Sequence, residues 1–372
     1  MIHRILHIRA DGSIENPIGG SVQVIKSYIN YTESQEINNY LMLVCDTPQL
    51  GDVYLDFFDF PMDRVILIKD FTISSFLKIS FWKKLKKVIQ ENSIDLIHSH
   101  AYKADVIAVI LGWITNRRII STVHGYNPAS PSAKSNIIWF FFRNIWYLFD
   151  QVILVSKSLL SIPIFKRLNN KGKVRIVENS LPLSSPRKKV IPQQGDQFRL
   201  VSIGRLSYEK NQILLCEALA VIAPERNFKC YLVGDGPERN NIEEFIHEAS
   251  LQDHIELVGF QRDTSTYYDL ADVVVIPSLH ETSSLVMLEA IAAICPIIAS
   301  RIGLMKELLS DGAGLLFENN NKLDLIEKIN FAMDHPDELK QIAKEAHQIV
   351  QDRFSMEENY KGLISIYDQA ID

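Results

Sequence analysis

Cysteine is scarce in this chain: four thiols in 372 residues (Cys45, Cys216, Cys230 and Cys295), scattered, with no CxxC pair. None has a histidine neighbour at metal-ligand spacing, and each sits in an apolar setting, so a disulfide scaffold and a zinc module are excluded in favour of reduced core thiols. An excess of basic charge is also missing. Lys and Arg total 39 against 45 Asp and Glu, a formal net charge of −6, which argues against a general nucleic-acid binder. No long apolar run occurs. The longest, residues 137–149, is interrupted by Arg143 and Asn144 and is too short to span a bilayer. The opening MIHRILHIR is a strand pattern broken by charge, without the apolar core of a signal peptide. Low-complexity tracts and short-period repeats are absent. A cytoplasmic chain that does not cross a membrane is expected.

What is present is ample core material, 47% apolar and 23% charged residues, in a length that suits two domains better than one. Strand-like segments at residues 5–8, 40–44, 64–68, 96–98, 118–122, 151–155 and 174–177 alternate with helical patterns such as 103–113. The rhythm restarts with strands at 199–203, 229–233, 255–258, 273–276 and 296–299, separated by helical stretches such as 212–223 and 238–249. This is the pattern of parallel sheets with helices on both faces. Residues 184–197 are polar, proline-bearing and aperiodic, and read as a linker. The expected organisation is α/β: a first domain over 1–183, the linker, and a second over 198–355. A terminal helix near 356–372 packs back on the first. Two doubly wound units in tandem leave a cleft, with ligands expected at the C-terminal strand ends.

Glu281 and Glu289 stand eight apart in PSLHETSSLVMLEA (277–290). The apolar run 273–276 delivers the first on a loop, and a helix opening near Ser283 carries the second about two turns in. Both acids then lie beside a helix N-terminus, whose N–H groups attract anions. Carboxylates flanking a phosphate site suit a ligand that is part phosphate and part polyhydroxyl, as a nucleotide sugar is. In GRLSYEKN (204–211), Arg205 leaves a strand tip and Lys210 precedes a helix. Two such cations can neutralise a departing diphosphate without a metal; an ordinary loop with a solvated Lys and an Arg paired to Glu209 fits equally. VGDGPER (233–239) lacks the third glycine of a dinucleotide fingerprint and reads first as a turn. The backbone near Val258, ending another strand, can meet a nucleobase, or can be a plain strand end. In the first half, Asn16-Pro17-Ile18-Gly19-Gly20 permits close backbone approach to phosphate or sugar, or forms a simple turn. His124, before Gly125, closes a strand and faces a cleft or caps the strand. His98 and His100 share a strand; at least one reads as a plain buried residue, and His100 lies closer to the cleft.

Together these pieces resemble glycosyltransferase family 4, retaining enzymes of the GT-B architecture with two Rossmann-like domains. The resemblance spans nearly the whole chain. It rests on Gly19-Gly20, His124-Gly125, Gly204-Arg205 with Lys210, Gly234-Asp235-Gly236-Pro237, and the Glu-x7-Glu of Glu281 and Glu289. It implies that Arg205 and Lys210 grip the donor diphosphate, Glu289 holds the ribose and Glu281 contacts the transferred sugar. It also implies phosphate contacts from the backbone around Ser284 and Leu285, Gly20 near the diphosphate, Gly19, Gly204 and Val258 at the donor site, and His124 by the donor sugar. Asn179 matches a strand-end asparagine of no firm role. No metal or other cofactor is implied. Two departures stand out. Thr282-Ser283-Ser284 replaces the usual Gly-Phe-Gly, narrowing the loop around the donor sugar. Ile294 replaces a glycine two residues before Pro296, which reads as a packing change.

Residues 76–90 hold five lysines and no acid, with Phe76, Leu77, Phe81, Trp82, Leu85, Val88 and Ile89 at helical spacing. That suits an anionic bilayer surface, and suits equally a core-packing helix with solvated lysines; residues 137–149 add an aromatic stretch. The reading is a retaining, metal-independent glycosyltransferase that uses a nucleotide sugar. Its expected acceptor is a glycan, lipid-linked if the basic helix meets the inner face of the cell membrane, as for a bacterial surface polysaccharide. The rivals are a sugar-nucleotide epimerase or phosphorylase of the same fold, and a catalytically silent sugar-nucleotide-binding subunit.

Overall fold

The computed structural model describes residues 3–11, 19–69, 71–100, 102–125, 144–180, 197–310, 312–353 and 356–371. The expected linker at 184–197 save Gln197, the segment Asn16-Pro17-Ile18 and the first part, 137–143, of the aromatic stretch 137–149 lie outside these residues. The chain divides into two compact units, Met1–Asn179 with Glu357–Asp372, and Ser180–Met356.

In the first unit, strands β1 (Arg4–Asp11), β2 (Asn38–Cys45), β3 (Val65–Ile68), β4 (Leu96–His100), β5 (Arg118–Val123), β6 (Gln151–Leu154) and β7 (Val174–Ile176) form a sheet ordered β3-β2-β1-β4-β5-β6-β7. Each described pairing is parallel. Strand order reverses between β1 and β4, the place where such sheets hold ligands. The helix Tyr102–Thr115 and the sheet bury Leu6, Ile8, Ile97, Ile107 and Leu111 in one cluster; the helix Gly20–Glu33 covers Leu41 and Leu43 on the other face. The helix Met356–Ile371 completes this unit. Tyr360 packs edge-on against Tyr28 and Tyr31, and the Tyr367 hydroxyl meets His98 Nδ1 at 2.7 Å.

The second unit repeats the plan with β8 (Phe198–Ile203), β9 (Phe228–Val233), β10 (Ile255–Gly259), β11 (Val273–Ile276), β12 (Ile297–Ser300) and β13 (Leu315–Phe317), ordered β10-β9-β8-β11-β12-β13. The reversal falls between β8 and β11. All four residues of β11 are buried, as a β-branched strand covered on both faces requires. Strand β13 carries no strong pattern of its own and was not expected from the sequence.

Gly-x-Gly at 234–236 serves the packing of these loops. Gly234 has φ of 144°, and a Cβ there would stand 1.9 Å from the Gly204 carbonyl oxygen. Only glycine lets the turns after β8 and β9 touch, so the motif is accounted for by backbone contact.

Two expectations need correction. The basic segment does not form one helix over 76–90: Phe76 ends a short helix from Ile73, and a second runs from Ile79 to Glu91. Its Phe81 and Trp82 pack against the core beside buried Leu85 and Ile89, while Leu77 and Ile79 stay exposed. Ile294, in turn, is a matter of backbone conformation. The helix Leu285–Ala292 ends with Ile294 N–H bonded to the Ile291 carbonyl and Cys295 N–H to the Ala290 carbonyl, at 3.0 and 2.8 Å. This is a Schellman ending with Ile294 in the left-handed position, φ 51°, where a β-branched side chain is strained. Ile294→Gly is therefore expected to stabilise the second unit by about 1 kcal/mol, read as a higher urea midpoint at unchanged slope. A lower midpoint would show that the side chain's packing outweighs its strain.

Candidate active site

The two loops that flank the β8–β11 reversal carry most of the charged groups singled out in the sequence. After β8, Gly204 N–H bonds to the Val233 carbonyl, and Leu206 N–H to the Asp235 carbonyl, at 2.9 and 3.0 Å. Gln212, buried at the start of the next helix, donates from Nε2 to the Arg205 carbonyl at 3.0 Å. Asn211 takes the left-handed conformation that asparagine tolerates, φ 54°, and turns the chain into the helix Gln212–Ile222. Lys210 sits one residue earlier on this fixed turn.

After β11, Leu279 N–H donates to the Glu209 carbonyl at 2.8 Å, stitching the two loops together. The Lys210 ammonium and the Glu281 carboxylate form an ion pair, both side chains largely sheltered from solvent. Behind Glu281 passes the loop after β12. Gly303, φ 47°, approaches so closely that a Cβ would lie 2.4 Å from the Glu281 carbonyl oxygen. The Glu281 main chain is thus hemmed in by the loop after β12 while its carboxylate is engaged by Lys210.

Ser284 caps the helix Leu285–Ala292, its Oγ accepting from Met287 N–H at 3.2 Å. Ser284 and Leu285 are buried at this N-terminus. Glu289 is the fifth residue of the helix, just past its first turn and not two turns in. Its carboxylate accepts from the Tyr268 hydroxyl at 2.5 Å. Burial raises its pKa, and the Tyr268 hydrogen bond works the other way. Val258 falls at a register shift: Leu257 pairs with Leu232 and Gly259 with Val233, leaving Val258 without a counterpart on β9. The hydroxyls of Ser207, Ser278, Ser283 and Ser300 are buried with no partner among the described residues. Such groups at strand ends mark a polar surface that a ligand or water can satisfy.

In the first unit, Gly19 precedes the helix Gly20–Glu33, and none of the described residues comes within 4 Å of the place a Cβ would take on Gly19. Half-buried His124 follows β5 and ends a series of otherwise buried histidines. His124 Nε2 lies 3.2 Å from His100 Nδ1, His100 Nε2 lies 3.0 Å from His7 Nδ1, and His7 Nε2 lies 3.0 Å from Asn39 Oδ1. His98 lies tilted against His100, ring centroids 4.1 Å apart, and spends its nitrogens on Tyr367 and Thr122, each at 2.7 Å. Desolvation pulls the His7 pKa down to about 4, against the Asn39 hydrogen bond and the Glu33 charge, and that of His124 to about 3, and lowers His98 and His100 strongly; neighbouring imidazoles add to this at His98 and His100, and Arg9 at His100 and His124. Both His98 and His100 are fully buried. The ring nitrogens of His7, His98 and His100 can come within 4.8 Å of one another, as metal ligands would. Each of these rings, however, has both nitrogens committed to the hydrogen bonds just named, so a cation would have to displace them.

On the opposite face of β4, Asp105 accepts from Ser99, Ser121 and Trp146 at 2.6, 2.8 and 3.0 Å. Burial still raises its pKa to about 7.

Arg205, Lys210, Gly204, Glu281, Ser284, Leu285, Glu289 and Val258 thus all lie at or beside strand ends of the second unit; His124, Gly19 and Gly20 lie in the first. Sequence reasoning missed Tyr268, Gly303, Arg9 and the part His7 plays. Of these only Gly303 carried a visible signal, a glycine shortly after a strand.

Two doubly wound units, one with a cation–carboxylate pair at its strand reversal, define an enzyme of the GT-B class. A family model described as Glycosyltransferase Family 4 matches residues 18–184, and one described as Glycosyl transferases group 1 matches 185–349. An uncharacterised glycosyltransferase of Methanocaldococcus jannaschii is 30% identical over 311 residues, 82% of this chain and 84% of that protein. The O-antigen biosynthesis glycosyltransferase WclY of Escherichia coli is 25% identical over 272 residues, 70% and 75% of the two chains. Anabaena HepE, solved with UDP and glucose, superposes with a TM-score of 0.81 at 21% identity, covering 98% of this chain and 99% of its own. The chain belongs to glycosyltransferase family 4.

The buried histidines carry a consequence for stability. Their folded pKa values lie below the ordinary 6.5, so between pH 6.5 and about 4 the unfolded chain binds protons that the folded chain refuses. Stability from these groups therefore falls as pH falls through that window. Asp105 acts in the opposite sense between its ordinary 3.8 and about 7, but it is one group against four. The melting temperature of the first unit is expected to drop by several degrees from pH 7 to pH 5, followed by thermal melts. A melting temperature that holds or rises on acidification would contradict the neutral, buried state of these rings.

Proposed function

We propose that the second unit binds a nucleoside-diphosphate sugar and that the enzyme transfers the sugar to a glycan acceptor with retention of configuration. The observation that carries this reading is the contact between Lys210 and Glu281 at the β8–β11 reversal. A diphosphate and the sugar bonded to it are adjacent parts of one molecule, so the cation for one and the acceptor for the hydroxyls of the other must also be adjacent. Tyr268 orients Glu289 for a second pair of hydroxyls, those of the ribose, and the unpaired register at Val258 offers main-chain groups to a base.

In the reaction, the bond from the anomeric carbon to the diphosphate oxygen breaks while a bond to the acceptor hydroxyl forms. Arg205 and Lys210 neutralise the charge that builds on the departing diphosphate. The acceptor proton passes to the leaving oxygen on the same face, so the products are the new glycoside and a nucleoside diphosphate. Because HepE was solved with UDP and glucose, UDP-glucose is the first donor to test.

The acceptor is proposed to be lipid-linked, as for a surface polysaccharide, and met at the inner face of the cell membrane. No helix among the described residues is long and apolar enough to cross a membrane. The helix Ile79–Glu91 instead offers exposed Lys83, Lys84 and Lys87 beside exposed Leu77 and Ile79, a pairing that suits an anionic interface.

Lys210→Ala is expected to lower kcat by at least about 100-fold with UDP-glucose or whichever nucleotide sugar is turned over, with the circular dichroism spectrum retained. Near-normal turnover would remove the diphosphate role from this lysine. A screen of UDP-, GDP- and ADP-sugars by thermal shift is expected to raise the melting temperature with one base class; no shift with any of them would refute a nucleotide-sugar donor. Binding to phosphatidylglycerol vesicles is expected to exceed binding to phosphatidylcholine vesicles and to weaken in Lys83→Glu/Lys84→Glu/Lys87→Glu. Equal sedimentation with both lipids would refute the membrane contact.

A further inference from the structure

The histidine series has a direction that can be read from its far end. Glu33 Oε1 accepts from Arg64 at 2.8 Å, from Asn39 N–H at 2.8 Å and from Asn39 Nδ2 at 3.0 Å. Asn39 Nδ2 also faces the Ile37 carbonyl at 3.2 Å. A carboxylate held by arginine and a carbonyl can only accept, so the amide nitrogen of Asn39 must point toward them. Its oxygen therefore points toward His7, and His7 Nε2 must carry a proton to donate at 3.0 Å.

A neutral imidazole has a single N–H, so His7 Nδ1 is bare and accepts. His100 must then donate from Nε2 and accept at Nδ1, and His124 must donate from Nε2 to that nitrogen. The last atom left is His124 Nδ1. It is buried, has no partner among the described residues, and by this chain of single protons bears a lone pair. The low pKa values of all three rings, set by desolvation and for His100 and His124 also by Arg9, keep each of them neutral and singly protonated.

We propose that His7 and His100 are positioning residues that fix the tautomer of His124, so that its Nδ1 accepts a hydrogen bond from a substrate hydroxyl and cannot donate to a phosphate oxygen. The identity of the hydroxyl as one on a nucleotide sugar rests on the function proposed above; the tautomer does not. The device explains why three histidines are buried together at a cost in solvation: each transmits to the next a polarity set by the Arg64–Glu33 ion pair, from one edge of the sheet to a strand end. A lone histidine at position 124 would be free to take either tautomer, and would bind a hydroxyl as donor or as acceptor.

The test is long-range proton–nitrogen correlation spectroscopy on wild-type enzyme labelled with 15N-histidine, with His124 assigned by its loss in His124→Asn. In ligand-free enzyme at pH 7, His124 Nδ1 is expected in the unprotonated nitrogen range and its Nε2 in the protonated range, as a single species. A protonated Nδ1 or a mixture of tautomers overturns the proposal. So does stoichiometric zinc binding that removes the signals of His7 and His100. His7→Phe keeps the ring volume and removes the acceptor; it is expected to convert His124 to a mixture and to lower kcat/KM about tenfold, the worth of one well-made hydrogen bond. An unchanged tautomer in that variant overturns the positioning role. Adding UDP-glucose is expected to shift the His124 Nδ1 resonance, and UDP alone to leave it in place; a bound UDP-glucose with no such shift removes the hydroxyl contact. Should UDP-glucose not bind at all, the donor reading fails, while the ligand-free spectrum still decides the tautomer.

Discussion

In a parallel sheet whose strand order reverses beside its first strand, the two loops at the reversal lead away in opposite directions, and something must hold them together if both are to address one ligand. In the second unit that constraint is met by the hydrogen bond from Leu279 N–H to the Glu209 carbonyl. It fixes the turn bearing Lys210 against the loop bearing Glu281, and the ion pair between them follows. The glycines at 234 and 303 serve the same end, allowing neighbouring loops to close to distances that no side chain would permit. The local backbone is therefore ordered before any substrate is present, which is where enzymes gain most from fixed charges.

The first unit meets a different demand. Its central strand β4 is polar yet wholly buried, and it escapes the cost of desolvation by dividing its polar side chains between the two faces of the sheet. His98 and His100 go to one face, joined by His7 from β1; Ser99 goes to the other, joined by Ser121, Asp105 and Trp146. The serine face closes its network on Asp105, and the histidine face pairs every ring nitrogen of the group except His124 Nδ1. The two units thus share a topology while organising their polar interiors by different means: opposite charges in one, neutral rings in the other.

Much of this was legible in the residues. Apolar runs such as 273–276 and turn signals after them located all but one of the described strands, and the spacing of Glu281 and Glu289 was enough to set them on either side of a helix start. What could not be read is whatever depends on register between distant segments. His7 and His100 are 93 positions apart, and nothing local to either says that β1 pairs with β4. Tyr268 meets Glu289 for the same reason, through the fold and not through the chain. The conformation at Ile294 was hidden because a left-handed residue is invisible when the sequence does not mark it with glycine. The break at Leu77–Lys78 was hidden because the hydrophobic periodicity runs straight across it.

The segment Glu357–Asp372 belongs to the first unit although the whole of the second is synthesised before it. Tyr360 and Tyr367 pack against Tyr28 and His98 in the interior of that unit. A chain growing from its amino terminus therefore acquires the residues that complete this interior only after the second unit has been made. Completion of the first unit thus depends on residues made after the second, and a chain cut before Glu357 leaves unfinished the half that was made first.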